Sequence, residues 1–301
     1  MRIGMIGLDT SHSVAFTQLL NDSAHPHHIE GAQVVIASPG ISSTIPISAA
    51  RAEGYIHTLR ERYNMKITDK LEEVAEASDA ILLTSGDGFL HESQLQRLAP
   101  YGKPIYVDKP FALSVDAALR MKATAELHGI VLMSSSALRY ADIYAEAIIS
   151  NAERITSVDV YGPIPNMEGV PGWFWYGIHA VEMVYAALGP GCETVTAVPA
   201  ADGAIVTARW KDGRTASIRG LNKGNNFGAV LHRGSDSQQI DIAKIQKPFY
   251  ASLLEQVIRM LQTGESPLPI SQTIEIIAFI EAIHLSLSTG QPAAVAAIAD
   301  H

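Results

Sequence analysis

The chain has 301 residues, with 22 basic against 31 acidic side chains and a formal net charge of -9. Of these residues 47% are apolar and 18% charged, the balance of a globular enzyme with core enough for two domains. No Lys/Arg cluster exceeds a pair, which argues against nucleic acid and anionic membranes as partners, and Cys192 stands alone, which excludes an intrachain disulfide and a multi-thiolate metal site.

The opening stretch, Met1 to His12, reads as a strand and its turn rather than a signal peptide, because it lacks a basic start and a long apolar run. No apolar run is expected to reach membrane-spanning length, and a cytoplasmic location follows as the default. Residues 2–7 are the first strand. Asp9, Thr10 and Ser11 are placed to cap a helix containing Val14, Phe16, Leu19 and Leu20. Strands follow at 33–37, 66–67, 80–83, 104–107 and 130–133. Helices are expected at 49–63, 70–77, around 91–98 and at 115–128, the last closed by Gly129. Strands alternating with helices of this length predict a parallel, doubly wound α/β sheet over residues 1–135.

The rhythm changes past residue 150. Strands at 155–161, 195–199, 204–211 and 214–219 lack intervening helices, and Asp212-Gly213 marks a hairpin. Residues 230–233 and 239–242 suit a second hairpin. A helix over 178–188 and two closing helices, 250–263 and 272–288, complete an α+β half with a mainly antiparallel sheet, residues 136–301.

Several residues could carry chemistry. The first strand-to-helix turn would need G-x-G-x-x-G to bind a dinucleotide, and only Gly7 matches. Asp9 and His12 occupy the other two glycine positions; Asp9 is either an N-cap or a direct ligand contact, and Thr10 and Ser11 remain possible donors. The second strand ends at Ala37-Ser38 without the acid that binds ribose hydroxyls, although Ser38 with Arg51 would suit a 2′-phosphate. Lys109 stands at a strand end, stopped by Pro110, where open α/β sheets hold ligands. There it could hydrogen-bond a substrate hydroxyl. His179 and Glu182, three apart on one helix, could be a proton acceptor and its orienting carboxylate, or a structural pair. Trp175, in the run Trp173 to Tyr176, offers an aromatic face to a sugar ring or a core wedge. Arg139 could anchor an acidic or polyol substrate or close a salt bridge. His25, His27 and His28 share one short loop, too little for a metal site, so no metal is assigned.

These motifs together resemble the Gfo/Idh/MocA oxidoreductases (glucose-fructose oxidoreductase, inositol dehydrogenase and relatives) over nearly the whole chain. The match is best from Asp79 to Thr84, through His91 and Gly102-Lys103-Pro104, to Asp108-Lys109-Pro110, which looks like the family's Glu-Lys-Pro signature with Asp for Glu. Arg139-Tyr140 is similar to its Arg-Phe element. Gly177-x-His179-x-x-Glu182 looks like its Gly-x-His-x-x-Asp helix. The resemblance implies a Rossmann domain followed by an open-faced sheet domain, assembled as a dimer or tetramer. It implies hydride transfer between NAD or NADP and a hydroxyl of a sugar or polyol. With the residue reading above, it puts Thr84, His91, Asp108 and Lys109 at the cofactor with the first turn, and Arg139, Trp175 and His179 at the substrate; the resemblance puts Lys109 and His179 in catalysis, and the pairing on the helix adds Glu182. Two departures stand out: the broken glycine motif, and Trp175 where relatives carry a catalytic aspartate. They leave a second expectation open, a sugar-binding or regulatory relative without dinucleotide binding.

Overall fold

The computed structural model describes residues 1–234 and 236–298. In chain order the regular elements are β1 (Arg2–Ile6), α1 (Ser11–Asn21), β2 (Gln33–Ser38), α2 (Pro46–Tyr63), β3 (Lys66–Ile67), α3 (Leu71–Ala77), β4 (Ala80–Leu83), α4 (Gly88–Leu98), β5 (Ile105–Val107), α5 (Val115–His128) and β6 (Leu132–Met133). Then come α6 (Asp142–Ile149), β7 (Ser157–Pro163), α7 (Gly177–Leu188), β8 (Cys192–Ala200), β9 (Gly203–Trp210), β10 (Thr215–Leu221), β11 (Gly228–Arg233), β12 (Asp236–Asp241), α8 (Phe249–Thr263), α9 (Ile270–Thr289) and β13 (Ala293–Ala294). They gather into two compact units. One is Met1–Ser135 with Tyr250–Ile270; the other is Ser136–Phe249 with the chain from Ser271. The segment 250–270, expected with the C-terminal half, thus clusters with the N-terminal sheet.

The first unit is built on a six-stranded parallel sheet in the order β3-β2-β1-β4-β5-β6. All four residues of β4 and all three of β5 are buried, as strands covered on both faces must be. The register aligns the strand ends: Ile6 pairs with both Ser38 and Leu83, and Leu83 with Val107. The chain therefore leaves β1, β2, β4 and β5 at one edge of the sheet. Between β1 and β4 the strand order reverses, the crevice where such sheets take ligands. Helix ends follow the expected chemistry. Ser114 accepts the N–H of Ala117 at the start of α5, and Gly129, at φ +63°, ends it in the left-handed conformation.

The second unit holds a mixed, mainly antiparallel seven-stranded sheet, β12-β11-β7-β10-β9-β8-β13, in which β7 and β10 alone run parallel. Residues of β9 and β10 alternate between buried (Ala204, Val206, Ala208; Ala216, Ile218) and open positions, so one face is cored and the other carries Thr207, Arg209 and Ser217. The Asp212-Gly213 hairpin forms, with Gly213 at φ +86°. Helix α9 overturns one expectation: its 20 residues are long and apolar enough to cross a bilayer. More than half of that window is buried within the protein, and Glu275 on it accepts the Tyr185 hydroxyl and the Gly191 and Cys192 N–H groups. It is built as a core helix.

Candidate functional site

The turn after β1 is shaped by close backbone approach. Gly7 has φ +98°, and a Cβ there would lie 2.0 Å from Ser85 N, so only glycine fits. Its N–H donates to Ser38 O, and Leu8 N to Pro39 O. Thr84 Oγ1 ties the turn from the other side, donating to Gly7 O at 2.7 Å and Ile6 O at 3.2 Å. Asp9 does not cap α1. It is buried, accepting from Gly86 N (3.0 Å) and Ser48 Oγ (2.6 Å), and burial pushes its carboxyl above the usual range against those two bonds. Thr10 takes the N-cap position without a side-chain cap bond; its hydroxyl points to Thr84 O at 3.4 Å. With no acid in the first turn of α1 and Ser11 exposed, this helix end still suits an anion. The residues therefore fit a dinucleotide pyrophosphate at Thr10 and Ser11, with the Asp9 charge held away by Gly86 and Ser48. Ser38 ends β2 buried, while Arg51 is exposed on α2.

Two residues beside this turn act as struts. His91, expected at the cofactor, is fully buried: Nε2 meets Ser85 O at 2.9 Å, and Nδ1 meets Pro110 O and Phe111 O at 3.0 and 3.2 Å. Both nitrogens are spent on backbone, so its work here is to fix the loops after β4 and β5. Asp87, which the sequence reasoning missed, caps α4 through Phe89 N and receives the hydroxyls of Ser42 and Thr44. An Asp-Gly pair opening a helix was the available signal.

At the end of β5, Asp108 is 2% exposed. Its Oδ2 binds His12 Nδ1, and its Oδ1 accepts Lys109 N at 2.8 Å and the Tyr106 hydroxyl at 3.4 Å. Burial opposes ionisation of Asp108, but the charges and hydrogen bonds of His12 and Lys109 win and hold its carboxyl below the usual range. Lys109 precedes a cis proline. Desolvation lowers its ammonium pKa, against the pull of Asp108, which brings a neutral amine closer to physiological pH.

In the second unit His179 and Glu182 part company. Ser136 Oγ, not Glu182, binds His179 Nδ1, at 2.7 Å. Glu182 is 2% exposed; Oε1 accepts Ser136 N at 3.0 Å and Oε2 accepts Arg139 Nε at 2.8 Å. Spacing of three on α7 put the two together on one face, but the carboxylate turns to the Ser136 N–H and the Arg139 guanidinium at the 3-10 turn Ala137–Tyr140. The expected partner position is taken by Ser136, and Arg139 is a buried ion-pair member whose Nη2 has no hydrogen-bond partner among the described residues. Trp175 is buried at 7% exposure, and the rings of Tyr176 and Phe227 meet His179 edge-on. His284 accepts the N–H of Trp173 at 3.0 Å. Among the described residues no group of three His, Cys, Asp or Glu side chains is arranged to hold a metal.

A parallel α/β unit with a ligand-ready helix end and a lysine at a strand end defines a nucleotide-binding class of domain. Residues 1–136 match the model of the oxidoreductase family with an NAD-binding Rossmann fold, the Gfo/Idh/MocA family that the motifs of this chain resemble. Solved structures share the fold along the whole chain. One is GenD2 from gentamicin A biosynthesis in complex with NAD (17% identity, 99% of this chain and 97% of that one, TM-score 0.79). Another is apo scyllo-inositol dehydrogenase from Lactobacillus casei (12%, 98% and 98%, 0.78). A third is levoglucosan dehydrogenase in complex with NADH and L-sorbose (15%, 99% and 99%, 0.76). None of the curated proteins compared with the chain matches it.

Proposed function

We propose that the chain is an NAD- or NADP-dependent oxidoreductase that moves a hydride between the nicotinamide and a hydroxyl of a sugar- or polyol-like substrate. The observation that carries the reading is the single sheet edge that gathers Gly7, the uncapped start of α1 and Lys109. Similar folds solved with NAD, and with NADH and L-sorbose, support it. Thr10 and Ser11 would hold the pyrophosphate, and Gly7, Thr84 and Asp108 would shape the rest of the cofactor cradle. When bound, the nicotinamide supplies the hydride acceptor. Lys109 hydrogen-bonds the substrate oxygen and stabilises its charge as the proton departs. In the second unit His179, its Nδ1 held by Ser136, is a further candidate base. Glu182 is given no reacting role, since its oxygens are taken by Arg139 and Ser136. The same proposal includes a homo-oligomer, which sedimentation of purified protein tests, and a cytoplasmic location, which fractionation of cells tests.

The deciding experiment is titration of folded protein with NADH and NADPH by nicotinamide fluorescence, followed by a screen of sugar alcohols with the cofactor that binds. Lys109→Met should lower turnover by about 10²–10⁴-fold while dinucleotide binding persists. Failure of both dinucleotides to bind would sink the reading. It would leave the second one, a sugar-binding or regulatory relative, which Asp9 and His12 in glycine positions and Trp175 in place of an aspartate favour.

A further inference from the structure

His12 stands where a dinucleotide motif takes a glycine, and its side chain is placed with care. Asp108 holds Nδ1, while the other oxygen of that carboxylate is fixed by Lys109 N and the Tyr106 hydroxyl. The ring stacks on Phe16 (centroids 5.3 Å apart, 23° between planes) and meets Tyr250 edge-on at 4.7 Å. Nothing among the described residues hydrogen-bonds Nε2, although His12 is 9% exposed. The pair bridges the start of α1, after β1, to the end of β5, across the end of β4. A packing role explains none of this. Packing would be met by a small residue, and a ring kept only for bulk needs no buried carboxylate at one nitrogen.

We propose that His12 and Asp108 form an oriented dyad in which His12 Nε2 exchanges a proton with the ligand held at the C-terminal edge of β1, β4 and β5, Asp108 acting as the positioning residue. The inference rests on the oxidoreductase reading for the identity of that ligand. An ionised Asp108 keeps the proton on Nδ1, so the neutral ring presents its lone pair at Nε2. As a ligand O–H bond breaks, an N–H bond forms at Nε2, and the imidazolium is balanced by the Asp108 carboxylate. In the proposed reaction the carbon that bears this oxygen would give its hydride to the nicotinamide, leaving a carbonyl. The ionisable groups facing the pair are Tyr106 on β5, Lys109 two residues beyond its end, and Tyr250 from α8. The dyad gives the first unit a proton-handling group of its own in a chain whose Trp175 stands in place of the aspartate of its relatives.

The test is nitrogen NMR of the full chain carrying ¹⁵N-histidine, with the His12 signal assigned by its loss in His12→Gln. The expected result is a proton on Nδ1 in the neutral ring, moving toward the commoner Nε2–H form in Asp108→Asn. Addition of NADH should shift the His12 signal. Calorimetry in two buffers of different ionisation heat should show at least about half a proton exchanged per NADH in the parent protein and little in His12→Gln. A proton found on Nε2 in the parent protein overturns the dyad. So does NADH binding that leaves His12 unmoved and proton exchange unchanged in His12→Gln, and in that case the oxidoreductase reading stands. Absence of NADH binding by folded protein sinks both.

Discussion

Two histidines, one in each unit, are held by their Nδ1 atoms, and their partners differ. His12 is held by Asp108, a buried carboxylate that stays ionised. His179 is held by the hydroxyl of Ser136, while the carboxylate three residues along, Glu182, is committed to Arg139. A carboxylate partner stabilises an imidazolium; a hydroxyl orients the ring without adding charge. The contrast teaches that proximity in sequence does not assign a carboxylate to a histidine. The nearest acid to His179 serves the fold, and the acid that serves His12 lies 96 residues away.

Removing Glu182 should break this contrast most visibly if it is wrong. Glu182→Ala leaves the Arg139 guanidinium buried without its counter-charge, and should cost about 3–5 kcal/mol, read as a lower urea midpoint. A variant that stays fully stable but loses turnover would restore Glu182 to a reacting role. Ser136→Ala should cost about 1 kcal/mol and raise the mobility of the His179 ring, seen as a lower kcat with dinucleotide affinity intact. An unchanged kcat would show that the hydroxyl does not orient the base.

A smaller effect concerns acid stability. Burial lowers the pKa of His284, whose neutral Nε2 accepts the Trp173 N–H. A folded-state pKa below the unfolded one means that this contribution is complete above the ordinary imidazole range and is lost as pH falls through it toward the folded value. His284→Gln, which can still accept the N–H, should flatten the acid limb of a stability-against-pH curve; a limb of unchanged slope would assign the acid sensitivity elsewhere. The smallest effect is at the turn after β1. Asp9→Asn keeps an acceptor for Gly86 N and removes a negative charge near α1, so NADH should bind about two- to five-fold more tightly. Weaker binding would mean that the Asp9 carboxylate itself meets the cofactor.

Much of the fold was legible because local signals agreed. β4 is a closed apolar run at residues 80–83, and α5 is bounded by a serine cap at 114 and a glycine stop at 129, so both match their expected limits. Helix α6 was not, since Asp142–Ile149 follows a 3-10 turn with only Ala141 between them and lacks a capping side chain. The site divides in the same way. Gly7 and Lys109 are readable from their places at strand ends. His91 reads as a ligand contact by motif, yet the carbonyl oxygens of Ser85, Pro110 and Phe111 meet its ring, two of them from the loop after β5, which no local spacing could reveal. Partners brought together by the sheet register, as Asp108 and His12 are, stay invisible until the strands are aligned.

The return of residues 250–270 to the first unit has a consequence for the order in which a ribosome delivers the protein. All six strands of the parallel sheet emerge within the first 133 residues, early enough to begin assembling while synthesis continues. The aromatic wall beside His12 is not finished then, because Tyr250 supplies the edge that meets both the imidazole and Phe16. A nascent chain halted before residue 250 would carry the complete sheet and an unwalled imidazole. The proton-handling pair therefore matures last, more than a hundred residues after the strands that frame it.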